Sequence, residues 1–225
     1  MKKVISFSIY GNSKKYTVGL LKNLELAKTI YPDWVVYIYY NTSVPQEFID
    51  RYSEFNGVEM INMDTQSIPG MFWRFIPREN VERFIVRDVD SRLSIREKLA
   101  VDEWIESDKT LHVLRDHPHH QHKINGGMFG LKITNDFNML DEINKWLVDK
   151  NLAIDNKFGD LSFLTDVVYS RFHNDMLEHN SVYVDVNTKP FPTPMENYKF
   201  IGEIWDENEN RYPQYYNWIG RKEIR

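Results

Sequence analysis

Apolar residues follow a strand period and then a helix period at the start of the chain. Val4–Tyr10 alternates and is rich in β-branched residues, and Gly11-Asn12-Ser13 ends this segment. Apolar positions then recur every three or four residues, at Leu20, Leu21, Leu24, Ala27 and Ile30. A period of two indicates a strand, and a period of about 3.6 indicates a helix. This part of the chain therefore predicts one strand followed by one helix.

The same order repeats along the rest of the chain. We predict further strands at Trp34–Tyr40, Val58–Met63, Arg83–Arg87, Thr110–Leu114, Met128–Ile133 and Ser181–Val186. We predict helices at Pro45–Phe55, Ile95–Ser107, Phe137–Asn151 and Asp160–Phe172, with a short helical turn at Gly70–Phe75. Strands that alternate with helices are typical of an α/β sandwich with a mostly parallel central sheet. We expect one domain over residues 1–225, with an irregular tail rich in proline from about residue 187.

Composition and charge exclude several classes of protein. An apolar content of 42% excludes a disordered chain, and the absence of cysteine excludes disulfides, thiol catalysis and cysteine-ligated zinc. The net charge of -5 argues against nucleic-acid binding, because such proteins usually carry a basic surface. No apolar run has the form of a signal peptide or the length of a membrane span. We therefore expect a cytoplasmic protein.

Two aspartates stand directly behind the predicted fourth strand. Asp88 and Asp90 are two positions apart, so both point the same way on an extended chain. Carboxylate oxygens suit Mg²⁺ and Mn²⁺, and both aspartates reach one ion only if the chain turns at Asp88–Ser91. The alternative is an Asx-turn that caps the helix starting near Ile95. The pair alone leaves both interpretations open.

The predicted topology brings two loops to one edge of the sheet. Ligands of open parallel sheets bind beyond the carboxyl ends of the strands. Tyr10-Gly11 follows the first strand and Asp88–Asp90 follows the fourth. We therefore expect both loops to contribute to a single binding site.

The order of these segments resembles the GT-A fold of glycosyltransferases, in particular small bacterial and viral members, over roughly residues 1–190. The resemblance rests on Arg87–Arg92 with its Asp-x-Asp motif, then Arg115–Pro118, then Asn125–Gly130. It implies a Rossmann-like enzyme that transfers a sugar from a UDP-, GDP- or TDP-sugar to a hydroxyl of a glycan or another acceptor. It also implies that Asp88 and Asp90 hold Mn²⁺ or Mg²⁺ on the donor diphosphate.

The resemblance also assigns residues to the rest of the donor. Ser8, Tyr10 and Gly11 match the loop that cradles the nucleoside, with Tyr10 stacking on the base. Asp64 matches a residue for the base or ribose, and Arg74 matches one that touches the donor. Ordinary alternatives are an aromatic residue at a strand end for Tyr10, a turn aspartate for Asp64 and a solvated cation for Arg74.

Gly126 and Gly127 have two compatible explanations. They permit a tight hairpin turn, or they let the backbone lie close to the donor sugar because glycine has no Cβ. The hairpin explanation suffices by itself, and both explanations can hold together.

The resemblance implies that Asp160 is the catalytic base, which in inverting members takes the proton of the acceptor hydroxyl. The acidic or amide neighbour usual in the family is replaced by Leu161. The alternative role for Asp160 is a helix N-cap, with Asp166 as the fallback base. His179 matches a further metal ligand that some relatives carry.

Two segments have no firm assignment from the sequence. The loop His117–His122 contains four histidines, and we favour an acceptor-side or lid loop over a metal cluster, because the helical i, i+4 spacing of paired ligands is absent. The tail from Lys189 has three possible positions: over the site, against the sheet or on a partner.

Two other functions compete with a glycosyltransferase. The chain is a noncatalytic sugar- or nucleotide-binding module if it keeps the fold without the chemistry. A phosphatase of the haloacid dehalogenase type also uses Asp-x-Asp behind an apolar strand, but normally on its first strand.

Overall fold

A mixed sheet forms the centre of the molecule. The computed structural model describes residues 1–150, 159–183 and 186–220. Its strands are β1 Lys2–Ile9, β2 Val35–Tyr40, β3 Val58–Asn62, β4 Val81–Val86, β5 Leu111–Arg115, β6 Phe129–Lys132, β7 Met176–Asn180 and β8 Thr188–Lys189. They pair in the order β3-β2-β1-β4-β6-β5-β7-β8. The described part is therefore an α/β structure with a mostly parallel sheet, as the sequence predicts.

Helices connect the strands. They are α1 Lys14–Ile30, α2 Gln46–Ser53, α3 Gly70–Trp73, α4 Ile95–Ser107, α5 Met139–Asp149, α6 Gly159–Phe163, α7 Ser170–Phe172 and α8 Pro213–Gly220. A π-helical segment, Leu164–Tyr169, joins α6 to α7. None of the described helices combines the length and apolar character needed to cross a bilayer.

Strand β6 is the exception to the parallel order. It pairs antiparallel with β4 and with β5, so those two strands run in the same direction. The carboxyl ends of β1, β4, β5 and β7 therefore share one edge of the sheet. Because β6 runs the opposite way, its amino end, which follows Gly126-Gly127, lies at that same edge.

Both faces of the sheet are covered by apolar side chains. Neighbouring residues on a strand alternate between two clusters: Phe84 belongs to one and Ile85 to the other, and both are almost fully buried. The first cluster includes Phe72 and Phe163 from the helices, and the second includes Trp104. Two-sided burial explains why the strand segments are rich in apolar residues.

The predicted elements are confirmed with small shifts at their ends, except near the last strand. The predicted strand Ser181–Val186 is wrong: β7 lies earlier, at Met176–Asn180, and residues 181–183 form bends. Residues 184 and 185 lie outside the described residues, as does the predicted helix end at Asn151. β7 was missed because its polar side chains are paired inside the protein, Glu178 with Arg115 and His179 with His112.

The predicted helix over Asp160–Phe172 is present but irregular. It consists of α6, the π-helical segment and α7 in succession. A π-helix adds one residue to a turn, and it is often found near functional sites. The apolar spacing alone did not reveal this insertion.

A buried ion pair underlies the turn after β4. Arg87 Nε donates to Glu97 Oε1 of α4 at 2.8 Å, and both side chains are 1% exposed. Tyr31 at the end of α1 donates its hydroxyl to the same carboxylate at 3.0 Å. Arg87 Nη1 donates to the carbonyl oxygens of Val86 and Phe129. Arg87 and Glu97 together therefore link β4, β6, α4 and the end of α1.

Helix α1 also holds the turn directly. The buried Asn23 amide donates to the carbonyl oxygen of Ser91 at 2.8 Å and accepts from the Leu93 N–H at 3.0 Å. A Cβ on Gly19 would lie 2.3 Å from the Val89 carbonyl oxygen, so α1 needs glycine there to approach this closely. The chain after β4 is therefore fixed from both sides.

We expect Glu97→Ala to destabilise the protein by about 3–5 kcal/mol, because it leaves the Arg87 guanidinium buried without a counter-charge. Urea unfolding followed by circular dichroism measures this loss. Glu106→Ala, on the exposed face of the same helix, is the control and should change stability by less than about 0.5 kcal/mol. A loss below about 1 kcal/mol for Glu97→Ala would contradict the assignment.

Candidate active site

A cavity of about 480 Å³ opens at the carboxyl edge of β1 and β4. Its walls come from both strand ends, from α1, α3 and α6, and from the tail. The lining residues are Ser8, Ile9, Tyr10, Tyr16, Met71, Arg74, Asp88, Val89, Asp90, Asp160, Gly202 and Ile204. The cavity therefore brings together six residues that the sequence singled out, from four separate segments.

The aspartate pair lies in a turn, as two-aspartate metal binding would require. The Asp88 carbonyl oxygen accepts from the Ser91 N–H at 3.2 Å and from the Ser91 hydroxyl at 2.8 Å. The alternative, in which this turn caps the next helix, is wrong: Ser94 caps α4 by accepting from the Glu97 N–H. The turn instead directs the Asp88 and Asp90 carboxylates into the cavity.

Each of these carboxylates already has a cation beside it. Arg74 Nη1 donates to Asp88 Oδ1, and Lys15 Nζ lies 2.7 Å from Asp90 Oδ2. Burial raises the pKa of the Asp90 carboxyl, and the nearby Asp88 charge adds to this shift, while Lys15 opposes it. The two carboxylates therefore interact with each other, and each is paired with a cationic side chain, Arg74 or Lys15.

Arg74 is held rigidly at the centre of the site. Its backbone N–H donates to the Ser8 hydroxyl at 2.8 Å, and its carbonyl oxygen accepts from the Ser6 hydroxyl at 2.6 Å. Burial opposes the charge of Arg74, but the Asp88 and Asp160 carboxylates outweigh it and raise the pKa of the guanidinium. Ser8 thus positions Arg74 as well as lining the cavity. The interpretation of Arg74 as a merely solvated cation is wrong.

Asp160 lies at the start of α6 and is 8% exposed. Its Oδ1 accepts from the Leu161 N–H at 2.9 Å, and its Oδ2 lies 3.7 Å from Arg74 Nη2. Burial raises the pKa of the Asp160 carboxyl, against the pull of Arg74, and the Asp88 charge adds to the rise. A buried carboxylate with a raised pKa is suited to accept a proton near neutral pH.

Tyr10 forms one side of the cavity mouth. Its side chain is 46% exposed, and its ring packs edge-on against Trp73 at 5.7 Å. A Cβ on Gly70 would lie 2.5 Å from the Tyr10 ring, so the glycine at the start of α3 makes room for it. The ring is therefore both supported from behind and open to a ligand.

The Gly126-Gly127 turn is needed for close approach. A Cβ on Gly127 would lie 2.1 Å from Asp88 Oδ2, and one on Gly126 would lie 2.7 Å from Arg74 Nη2. The two glycines do form a tight turn, since the Met128 N–H donates to the Asn125 carbonyl oxygen at 3.0 Å. This turn does not by itself join two strands as a hairpin, because residues 116–128 form a long connection between β5 and β6. The two glycines instead let the amino end of β6 pass directly beside the ionic side chains.

The tail closes over the cavity. Gly202 and Ile204 line it, and the Trp205 N–H donates to the Asp90 carbonyl oxygen at 2.9 Å. Gly202 has a φ of 81°, and a Cβ there would lie 2.6 Å from Met128 Sδ. The tail also packs on the sheet, because Phe191 and Ile201 share a buried cluster with Leu114 of β5. Two of the three positions open to the tail are therefore observed.

Besides Gly126 and Gly127, four residues that the sequence proposed lie outside the group of lining residues. Asp64 Oδ1 accepts from the Thr42 N–H at 3.0 Å and from its hydroxyl at 2.9 Å, which is the turn role. Gly11 has a φ of 76°, and its N–H donates to the Ser43 hydroxyl. Asp166 lies 3.3 Å from Lys150. Because Asp166 does not line the cavity and Asp160 does, Asp160 is the better positioned base.

His179 is the fourth. It is fully buried, with Nε2 at 2.9 Å from Glu103 Oε2 and Nδ1 at 2.9 Å from His112 Nε2. Both ring nitrogens are therefore engaged away from the aspartate pair. This placement does not support His179 as a metal ligand.

The histidine loop packs against the tail. The His117 ring lies 4.4 Å from that of Phe200, and the partly buried His120 accepts from the Asp116 N–H, with its pKa lowered to about 3 mainly by desolvation. His120 and Gln121 line a second, mostly polar cavity of about 720 Å³ at the carboxyl ends of β5 and β7. Within the described ranges, no group of three or more His, Asp or Glu side chains is arranged to hold a metal ion. The loop position is compatible with an acceptor-side role.

The sequence did not identify Lys15, Tyr16 or the tail residues as parts of the site. Lys15 stands just after the Gly11-Asn12-Ser13 break, at the carboxyl end of β1, and a lysine in that loop is a signal that was available. Ile204 lies far along the chain from the aspartate turn and belongs to no motif. Only the folded chain shows that it lies at the cavity.

A divalent cation fits the donor set at the turn. Asp88 and Asp90 offer carboxylate oxygens on one side of the cavity, and the Asp88 side chain is 43% exposed. Mg²⁺ and similar ions are commonly held by one or two carboxylates together with substrate phosphates, so two protein ligands are enough. A cation at this turn would therefore be held by Asp88 and Asp90, with no contribution from His179.

We expect Gly127→Ala to destabilise the protein by about 1–3 kcal/mol, since the new methyl group overlaps the Asp88 side chain. Chemical unfolding of Gly127→Ala, Asp88→Ala and the double variant forms a double-mutant cycle that measures the coupling. Shortening Asp88 should recover part of the loss caused by Gly127→Ala. Strictly additive losses would show that the glycine is not needed for this contact.

Comparison with known proteins identifies the fold. No family model matches the sequence, and no curated protein sequence matches it. TarS from S. aureus is similar with a TM-score of 0.53 at 15% identity, over 81% of this chain and 59% of its own. The mannosyltransferase PcManGT from Pyrobaculum calidifontis, in complex with GDP-Man and Mn²⁺, gives 0.52 at 10% identity, over 88% and 58%.

A third structure is similar along its whole length. An active-site mutant of LgtC, which is a galactosyltransferase, gives a TM-score of 0.51 at 12% identity and covers 92% of each chain. This chain spans less than two thirds of the TarS and PcManGT structures. Identities this low report on the arrangement of the backbone. The chain therefore has the GT-A fold, the fold of these glycosyltransferases.

Proposed function

We propose that this protein is a metal-dependent glycosyltransferase that moves a sugar from a nucleoside-diphosphate sugar to a hydroxyl of a glycan or another acceptor. One observation carries the proposal. Asp88, Asp90 and Asp160 all line one cavity with Arg74, at the sheet edge where a GT-A fold binds its donor. This arrangement supplies separate groups for binding a diphosphate and for accepting a proton.

Charge balance supports the metal. Three carboxylates face two cations, Arg74 and Lys15, so the cavity keeps one uncompensated negative charge. A diphosphate adds more negative charge to a partly buried site, where repulsion is stronger than in water. A Mn²⁺ or Mg²⁺ ion bound by Asp88 and Asp90 would offset this charge and stabilise the departing nucleoside diphosphate.

The nucleoside fits beside Tyr10. The half-exposed ring borders the cavity and is fixed by Trp73, so it offers a face on which a base can stack. The mannosyltransferase with a similar fold was solved with GDP-Man and Mn²⁺. We therefore place the base of a UDP-, GDP- or TDP-sugar against Tyr10 and its diphosphate near the aspartate turn.

Asp160 is the proposed catalytic base. In the transfer, the acceptor oxygen forms a bond to the anomeric carbon while the bond from that carbon to the diphosphate oxygen breaks. The diphosphate keeps the bonding electrons, and Asp160 takes the proton of the acceptor hydroxyl. Arg74, beside both Asp88 and Asp160, links the leaving-group side of the cavity to the base.

The competing functions fit less well. The GT-A fold argues against a haloacid dehalogenase phosphatase, because the aspartate pair follows β4 rather than the first strand. A noncatalytic module of the same fold would need no buried proton acceptor, whereas Asp160 is buried with a raised pKa. Release of nucleoside diphosphate from a sugar nucleotide distinguishes the enzyme from the module.

We expect at least one of UDP, GDP and TDP to raise the melting temperature of the wild type in a Mn²⁺-dependent way. At a hundredfold excess over Kd the gain is about 2.7 kcal/mol, which corresponds to roughly 5–10 °C for a chain of this size. Asp90→Asn should lose the effect. Asp64→Asn, at a residue outside the cavity, should keep it. If none of the three shifts the wild type with Mn²⁺, the proposed function is wrong.

We expect Asp160→Asn to lower kcat by about 100-fold to 10,000-fold while donor binding stays near that of the wild type, since a general base acts on the chemical step. Steady-state kinetics and calorimetric titration of the nucleoside diphosphate measure the two quantities. Asp166→Asn is the matched control on the same helical segment and should remain active. Equal loss in both variants, or none in Asp160→Asn, would assign the base elsewhere.

A further inference from the structure

Lys15 contacts Asp90, one of the two proposed metal ligands. It lies in the first turn of α1, its side chain is 25% exposed, and its Nζ is 2.7 Å from Asp90 Oδ2. Tyr16 and Tyr212 flank it, with ring centroids at 5.2 Å and 6.0 Å from Nζ. The ammonium group is thus held at the cavity wall, on the carboxylate that we assign to the metal.

A divalent cation and the lysine compete for the same oxygen atoms. Carboxylate oxygens approach Mg²⁺ or Mn²⁺ to about 2.0–2.2 Å. An ammonium group that stayed 2.7 Å from Asp90 Oδ2 would then lie next to a doubly charged ion. Repulsion between like charges at such separations is large, so an ion bound to Asp90 disfavours the lysine at its present distance.

Lys15 is better able to move than Arg74. The backbone of Arg74 is bonded to Ser6 and Ser8, and its guanidinium contacts two carboxylates, Asp88 and Asp160. Lys15 pairs with Asp90 through a flexible four-carbon stem. Its Nζ can therefore shift within the cavity without any change in the backbone of α1.

We propose that Lys15 is a diphosphate-binding residue that is held on Asp90 until a divalent cation replaces it there. This inference rests on the proposed function, since it names the group that receives the donor diphosphate. Once displaced, the ammonium group stays beside the aspartate turn, where the metal brings the phosphate oxygens. A lysine is a common point-charge ligand of phosphate.

The exchange predicts two effects of opposite sign when the lysine is removed. Without Lys15 the metal has no competitor on Asp90, so Mn²⁺ alone should bind more tightly. The nucleoside diphosphate loses a charged contact, so in the presence of Mn²⁺ it should bind more weakly. A residue that only supports the fold would change both affinities in the same direction.

The experiment compares Lys15→Met with Lys14→Met. Lys14 is the exposed neighbour on the same turn of α1, so the control removes the same charge from the same helix end. Titration with Mn²⁺ alone at pH 8, by calorimetry or electron paramagnetic resonance, measures the first effect. Titration with UDP, GDP and TDP at saturating Mn²⁺ measures the second, and circular dichroism confirms that each variant is folded.

We expect Lys15→Met to bind Mn²⁺ alone several-fold more tightly than the wild type. We expect it to bind the nucleoside diphosphate about tenfold or more weakly, as for the loss of one charged hydrogen bond. Lys14→Met should match the wild type in both titrations. A Lys15→Met variant that binds nucleoside diphosphate as tightly as the wild type, or Mn²⁺ no more tightly, overturns the inference.

The result also separates this inference from the proposed function. If the wild type binds none of UDP, GDP and TDP with Mn²⁺, the proposed function has failed, and the Lys15 role fails with it. If the wild type binds one of them and Lys15→Met binds it equally well, only the role of Lys15 is overturned.

Discussion

The buried ion pair between Arg87 and Glu97 is the constraint on which the site depends. It lies immediately before Asp88 and ties β4 to β6, to α4 and, through Tyr31, to α1. A buried pair of this kind adds little net stability, but it is costly to break, and it fixes one arrangement of the elements it joins. The ion pair therefore fixes the residue that precedes the aspartate turn, and Asn23 of α1 holds the turn itself through two hydrogen bonds.

Close packing around charged groups is the second theme of the molecule. Glycines at positions 19, 70, 126 and 127 each stand where a Cβ would lie 2.7 Å or less from a neighbouring atom. All four border the cavity or its turn, so the backbone carries no side chain at these positions beside the ionic groups. Partly excluding water in this way strengthens the electrostatic interactions between the remaining groups. The raised pKa values of Asp90 and Asp160 are a direct result of that burial.

Much of the fold could be predicted from the sequence because its strands are buried on both faces and its helices are amphipathic. Strand ends in this topology meet at one edge, which located Tyr10 and Asp88, whereas Arg74 and Asp160 came from the resemblance to glycosyltransferases. Strand β7 escaped because Glu178 and His179 are polar but internally paired. Lys15 and Ile204 were not predicted for a different reason. Lys15 contacts Asp90 and Ile204 lines the cavity, and contacts between segments so far apart leave no local pattern in the sequence.

The hydrogen bond from the Trp205 N–H to the Asp90 carbonyl oxygen bears on the stage of synthesis at which the cavity can form. Proteins are synthesised from the amino terminus, and early segments begin to fold first. The strands that carry the ionic side chains emerge well before Gly202 and Ile204, which complete the wall of the cavity. The charged residues therefore lie in an open groove until the tail has been synthesised, and only then can Gly202 and Ile204 complete the wall of the cavity.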